Sequence, residues 1–477
     1  MEFSREFQRL LAGLLAGCAA VIIVAAYWAV AGAPDLLARP DNPRLFEAVV
    51  NTQRGAIYDR GGSILAESVT NDNQRFRSYP SPEAASAVGY YSLQYGAGGA
   101  EAAYAPALSG LDRLATPEAY LEEAILHRER VGSDIMLTLD LDIQRAMVEA
   151  LDGHKGAAVL LSVPGGEVLG MVSLPMIDPN KLDVTYDELL ADPDNPFFNR
   201  ATQARYQPGS AIQTVLATAA LINAVPFEEV LEDADAPVTV GDVTLTCAER
   251  PPASRLTLAE AYAYGCPAPF ARLYETLGPE EVSETFDLYQ LDEPLALAGF
   301  ALPEPLELSG LTSLDDALGQ GRITVTVMQM ATIAAAVLND GNAPQPVLLR
   351  ATRPPGAPEW TPVAPSSVTL PVTTSENARR IAALMIEVTY NGIARRAARS
   401  DIRIGGHAAQ AFAGESEISW FIGFAQIGSG RGVALALALE DSADPELAAE
   451  IGGEILKVGY ERRSAEVTSG SDSVPAR

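Results

Sequence analysis

From Leu10 to Gly32 the chain reads LLAGLLAGCAAVIIVAAYWAVAG, a run without one charge or proline. At about 1.5 Å of rise per residue, a helix over this run crosses the roughly 30 Å hydrocarbon core of a bilayer with some tilt. Nothing else in the sequence restricts the fold so severely, because a span in hydrocarbon must satisfy all its backbone hydrogen bonds internally. Arg5 and Arg9 precede the run, and Asp35 and a proline-containing stretch follow it. The positive-inside bias therefore places residues 1–9 in the cytoplasm and nearly everything else outside the plasma membrane, with Tyr27 and Trp28 near the outer interface.

Leu15-Ala16-Gly17-Cys18 also has the look of a lipoprotein cleavage box. The apolar run continues well past Cys18, where a processed lipoprotein turns polar at once, so a retained anchor over residues 10–32 is expected. Beyond it, 33 Lys and Arg against 62 Asp and Glu give a formal charge of −29, which repels phosphate backbones and anionic head groups and argues against nucleic-acid partners. The 477 residues suffice for two or three folded units. Only Cys247 and Cys266 lie on the exported side. In an oxidising compartment they are candidates for a disulfide, and closing a loop of about 20 residues contributes roughly 3 kcal/mol where the geometry allows. His127, His154 and His407 are far apart without ligand spacing, so neither a metal nor a cofactor is expected.

RGAIYDRGGSILAES, Arg54 to Ser68, reads as two strands about a turn at Gly61-Gly62, within a small membrane-proximal α+β domain over residues 33–133. DIMLTLDLDIQRAMVEAL from Asp134 gives a strand and an amphipathic helix, and GAAVLLSVPGGEVLGMVS gives two β-rich runs. Helical stretches follow at Ser210–Ala224, Thr257–Leu277 and Val325–Leu338, then strands at Ile418–Gln426 and Gly432–Asp441 and a last helix over Pro445–Tyr460. This order predicts an α/β domain over residues 134–462 whose sheet is assembled from both ends of the segment. The polar tail 463–477 is expected to be disordered.

RGAIYDRGGSILA, TLDLDIQRAMVEAL, GEVLGMVSLPMIDPN, NRATQARYQPGS, LGQGRITVTVMQMATIAAAVLNDG and WFIGFA stand in one order along nearly the whole chain, and together they resemble the membrane-anchored class B penicillin-binding proteins. The resemblance implies a transpeptidase fold of the penicillin-binding-protein and serine β-lactamase type, with a mixed sheet flanked by helices. It also implies a role in cross-linking peptidoglycan.

Three short motifs carry that family's chemistry. In Ser-x-x-Lys the spacing puts a serine nucleophile and its lysine base on one helix face. Ser210 aligns with the nucleophile and Gln213 with the lysine, and a neutral amide cannot accept the serine proton. Within AYAYGCPAPFARL the Ser-x-Asn positions are Gly265, Cys266 and Pro267, so hydroxyl and carboxamide are both gone. In IRIGGHAAQA the Lys-Thr-Gly-Thr positions are best filled by His407, Ala408, Ala409 and Gln410.

Three segments distant in sequence thus lack the groups that would converge on one site, while the surrounding framework is kept. The expectation is a pseudoenzyme that serves as a scaffold. Ser210 is then read as the cap of its helix, a role worth about 1 kcal/mol. The rival reading is a serine acyltransferase or hydrolase in which His407 acts as base for Ser210. By the same resemblance, the partners would be a membrane-embedded glycan polymerase or an active penicillin-binding protein, with peptidoglycan itself as a further candidate.

Overall fold

The structure is a computed structural model and describes residues 2–27, 52–71, 74–112, 129–303, 305–306, 310–364, 368–414 and 416–469. The chain divides into two compact units, Met1–Gln53 with Arg113–Val131, and Arg54–Asp112 with Gly132–Arg477.

In the first unit the apolar run forms the helix Glu2–Tyr27, of which Phe7–Ala25 is long and apolar enough to cross a membrane. Within that segment Leu10, Val21 and Ile22 are exposed. Trp28 and the remainder of the run to Gly32 lie outside the described residues.

In the second unit a six-stranded sheet runs in the order Thr361–Pro362, Leu349–Arg353, Asp134–Leu137, Ile57–Tyr58, Ile64–Asn71 and Gln74–Ser78. The RGAIYDRGGSILAES hairpin is present, but Ile57–Tyr58 also pairs in parallel with Asp134–Leu137. Backbone hydrogen bonds therefore join this hairpin to the strand that starts at Asp134, within the second unit. Buried charge ties the hairpin in place. Glu101, fully buried, accepts from Arg54 Nη2 at 2.8 Å and from Arg77 Nε at 2.6 Å, and such a carboxylate is tolerable only because both partners reach it.

The second sheet holds the site. Its order is Arg403–Ala413, Ser416–Gly428, Arg431–Glu440, Gly156–Val163 and Val168–Leu174, every pair antiparallel, so strands from both ends of the segment do meet. Alternate residues face opposite layers. On one side Gly452 of the helix Pro445–Ser469 lies against Phe421, and Gly459 against Leu160 and Val433. On the other, Gly432 approaches Leu338 at the end of the helix Val327–Leu338, all of whose residues are buried. That helix starts on a reciprocal cap between Thr326 and Gln329, the arrangement that settles the first free N–H groups of a helix.

The expected end of the last helix at Tyr460, with a disordered tail from residue 463, needs correction, because the helix runs to Ser469. Arg462 pairs with Asp140 at 3.0 Å and with Asp142 at 3.0 Å, and Glu466 pairs with the buried Arg60 at 3.0 Å. Polar residues without apolar periodicity are here fixed by charges from distant segments. Residues 470–477 lie outside the described ones.

Candidate active site

Pro208-Gly209-Ser210 is laid directly onto the strand Arg403–Ala413. A Cβ on Gly209 would stand 2.1 Å from the carbonyl oxygen of Gln410 and 2.8 Å from Cβ of Ala411, and the residue has φ +53°, so glycine is required. The Gly209 amide donates to the carbonyl of Gly319 at 3.0 Å, which fixes the turn from below. Residues Gly209–Ile212 form a 3₁₀ turn, and the α-helix Gln213–Ile222 follows, buried nearly throughout.

Ser210 is not a cap. Its hydroxyl is buried and makes no hydrogen bond among the described residues. The backbone settles the turn without it: the amide of Ala211 donates to Pro208 O and that of Gln213 to Ala211 O and Ser210 O. The capping role expected from the sequence assumed an α-helix starting at the serine, whereas the tighter turn starts one residue earlier.

Gln213, one turn on, is 2% exposed, and its Nε2 donates to the carbonyl oxygen of Cys266 at 3.3 Å while its Oε1 has no partner among the described residues. Of the residues matched to Ser-x-Asn, Gly265 lies beside the serine. A Cβ on Gly265 would stand 3.4 Å from Ser210 Oγ and 2.9 Å from Cβ of Ala248, and Gly265 has φ +61°. Pro267 opens the helix Pro267–Leu277, the one helical position where a missing N–H costs nothing. Cys266 is bonded to Cys247, with Cα atoms 3.9 Å apart. The bridge holds Ala248 against Gly265, where its amide donates to the Gly265 carbonyl at 3.4 Å.

His407, Ala408 and Ala409 are fully buried in the edge strand of the five-stranded sheet. Gly406 packs on Phe421, so His407 points to the opposite face, towards the Ser210 helix layer. Its Nε2 lies 3.0 Å from the carbonyl oxygen of Tyr262, and the rings of the two residues are 4.5 Å apart. A carbonyl only accepts, so Nε2 carries the proton and Nδ1 is the bare nitrogen. Among the described residues Nδ1 has no partner, and neither has Ser210 Oγ, so the two are not bonded to each other. Burial pulls the imidazole down from 6.5 to about 4, only partly offset by the bond to Tyr262.

Sequence reasoning missed Tyr262 and Ala248. Tyr262 sends its carbonyl to His407 and shares a hydrogen bond between its phenol and the Thr214 hydroxyl at 2.9 Å. Burial raises its pKa well above the usual phenol range, so it stays protonated and is no base. The signal for Ala248 was its place beside Cys247. For Tyr262 it was its place three residues before Gly265.

The fold with a serine before a buried helix, facing an edge strand, defines the penicillin-recognising class of serine acyltransferase architectures. Residues 156–457 match the family profile of the penicillin-binding protein transpeptidase domain, and residues 54–135 match the dimerisation domain of penicillin binding protein A. The chain belongs to the penicillin-binding protein transpeptidase family. It is 28% identical over 479 residues to the peptidoglycan D,D-transpeptidase PbpA of Mycolicibacterium smegmatis, covering 92% of this chain and 94% of that protein. It is 30% identical to PbpA of Mycobacterium tuberculosis over 359 residues, 68% of this chain and 70% of that protein. The imipenem acyl-enzyme complex of penicillin-binding protein A from M. tuberculosis superposes with a TM-score of 0.75 at 26% identity, over 86% of this chain and 99% of that one.

Proposed function

We propose that this chain is a catalytically silent transpeptidase homologue that serves peptidoglycan synthesis as a scaffold or binding partner. The observation that carries the reading is the Ser210 hydroxyl, buried and hydrogen-bonded to no proton acceptor, with the Gln213 amide in the place of a base and itself donating to Cys266. Loss of a general base alone costs about 10² to 10⁴ in rate. The rival base, His407, spends Nε2 on Tyr262 and holds a proton too weakly at neutral pH to drive the transfer.

On the same reading residues 1–9 are cytoplasmic and the body of the chain lies outside the plasma membrane, which Arg5 and Arg9 before the apolar run support. By analogy with class B relatives, the partners are a membrane-embedded glycan polymerase and an active penicillin-binding protein. Recovery of neither on purification from native membranes overturns that assignment.

The catalytic reading is tested by incubating the full-length protein with a fluorescent penicillin. The expected result is no covalent label above that of Ser210→Ala. Stoichiometric labelling of the wild type that is lost in both Ser210→Ala and His407→Ala would establish the rewired acyltransferase instead.

A further inference from the structure

A cavity of about 320 Å³ opens where residues 85–102 meet the segments 173–177, 196–203 and 299–301. In a chain with 20% charged residues, none of those lining it is charged. An anionic ligand entering it would lose hydration without meeting a cation.

Three rings, Tyr90, Phe197 and Phe300, line it together with Met176, Ile177 and smaller apolar side chains. They are held from behind: Tyr90 meets Phe197 edge-on at 5.7 Å, Tyr186 leans on Phe197 at 5.2 Å, and Tyr95 stacks on Tyr186 at 3.7 Å. The polar part is equally rigid. Asn199 Nδ2 donates to the Ser86 carbonyl at 2.9 Å, and the Ser173 amide donates to Ser86 Oγ at 3.0 Å. Thr202, only 5% exposed, has a hydroxyl without a hydrogen-bond partner among the described residues, and Gln203 also lines the cavity.

A hydrocarbon tail would strand these polar groups, and a carboxylate-bearing stem peptide would find no counter-charge. A neutral sugar satisfies both walls, since its C–H face covers aromatic rings while its hydroxyl and acetamido groups reach amides and hydroxyls. We infer that this crevice binds an N-acetylated hexosamine segment of a glycan strand. Its size, at the low end of the roughly 300–1,000 Å³ of small-molecule sites, suits one or two sugar rings. It shares no lining residue with the cluster of Ser210, Gln213, Gly265 and Cys266. The inference therefore goes beyond the reading of that cluster: whatever Ser210 does, the chain holds glycan at a separate place.

The test titrates the full-length protein in lipid nanodiscs with chitotetraose, the β-1,4-linked tetramer of N-acetylglucosamine, read by calorimetry and saturation-transfer NMR. Saturable binding is expected, weakened roughly tenfold by Phe300→Ala or Phe197→Ala. Thr202→Val should weaken it several-fold without lowering the melting temperature, since no bond within the protein is lost. Ser210→Ala should leave it unchanged. Absence of saturable binding, equal binding by Phe300→Ala and Thr202→Val, or loss of binding in Ser210→Ala overturns the inference. Equal affinity for maltotetraose, which lacks acetamido groups, overturns the N-acetyl assignment. Penicillin labelling reads Ser210 alone, so the two ideas fail separately.

Discussion

Gln213 Nε2 donates to the carbonyl oxygen of Cys266 at 3.3 Å, so the amide three residues after Ser210 is bound to the loop that carries Gly265 and Pro267. The same residue is bridged to Cys247, which presses Ala248 onto Gly265. The segments around Gln213 and Gly265 are thereby parts of one packed unit, held by a hydrogen bond, a disulfide and a methyl contact.

Single reversions inside that unit should not revive acylation. Gln213→Lys buries an ammonium that has the Cys266 carbonyl within reach as an acceptor and no counter-charge assigned to it, and should destabilise the fold by about 2 kcal/mol at pH 7. Its native pKa falls below the unfolded one, so the unfolded chain binds the extra proton and the loss should shrink as pH rises towards 10. Gly265→Ser puts a side chain on a residue with φ +61°, its Cβ 2.9 Å from that of Ala248, at a cost of about 1–2 kcal/mol. Denaturant titration measures both costs, and penicillin labelling by either variant would contradict the expectation.

His407 makes stability depend on pH. Its imidazole is drawn from 6.5 to about 4 by burial, so between those values the unfolded chain takes up a proton that the native chain refuses. Stability is full above about pH 6.5 and should fall by about 3 kcal/mol on acidification to pH 4, at about 1.4 kcal/mol per pKa unit. In His407→Gln, whose amide can still donate to Tyr262, this part of the pH profile should be flat. Urea unfolding midpoints at a series of pH values decide it.

The end of the last helix should matter to the whole second unit. Arg60 is 5% exposed and pairs with Glu466 at 3.0 Å and with Glu167 at 3.2 Å. Glu466→Gln leaves Arg60 with one carboxylate and should cost about 1–3 kcal/mol. Removing residues 464–477 should cost at least as much, read as a lower melting temperature, and an unchanged transition would show that Glu167 alone suffices.

The sequence by itself determined the membrane-length run, the order of the transpeptidase framework and the chemical character of the residues around Ser210. Each of these is a property of local spacing or residue type: no fold turns Gln213 into a base or gives Pro267 an N–H. Tertiary structure alone decided that Gly265 lies against the Ser210 hydroxyl, that His407 spends its proton on Tyr262, that Cys247 meets Cys266, and that Arg462 reaches back to Asp140. It also overturned the capping role of Ser210 and the disordered tail from residue 463. These features depend on which groups from remote segments come within about 3–4 Å of one another, and periodicity along a chain carries no information about such pairings, whereas packing around a shared core fixes them.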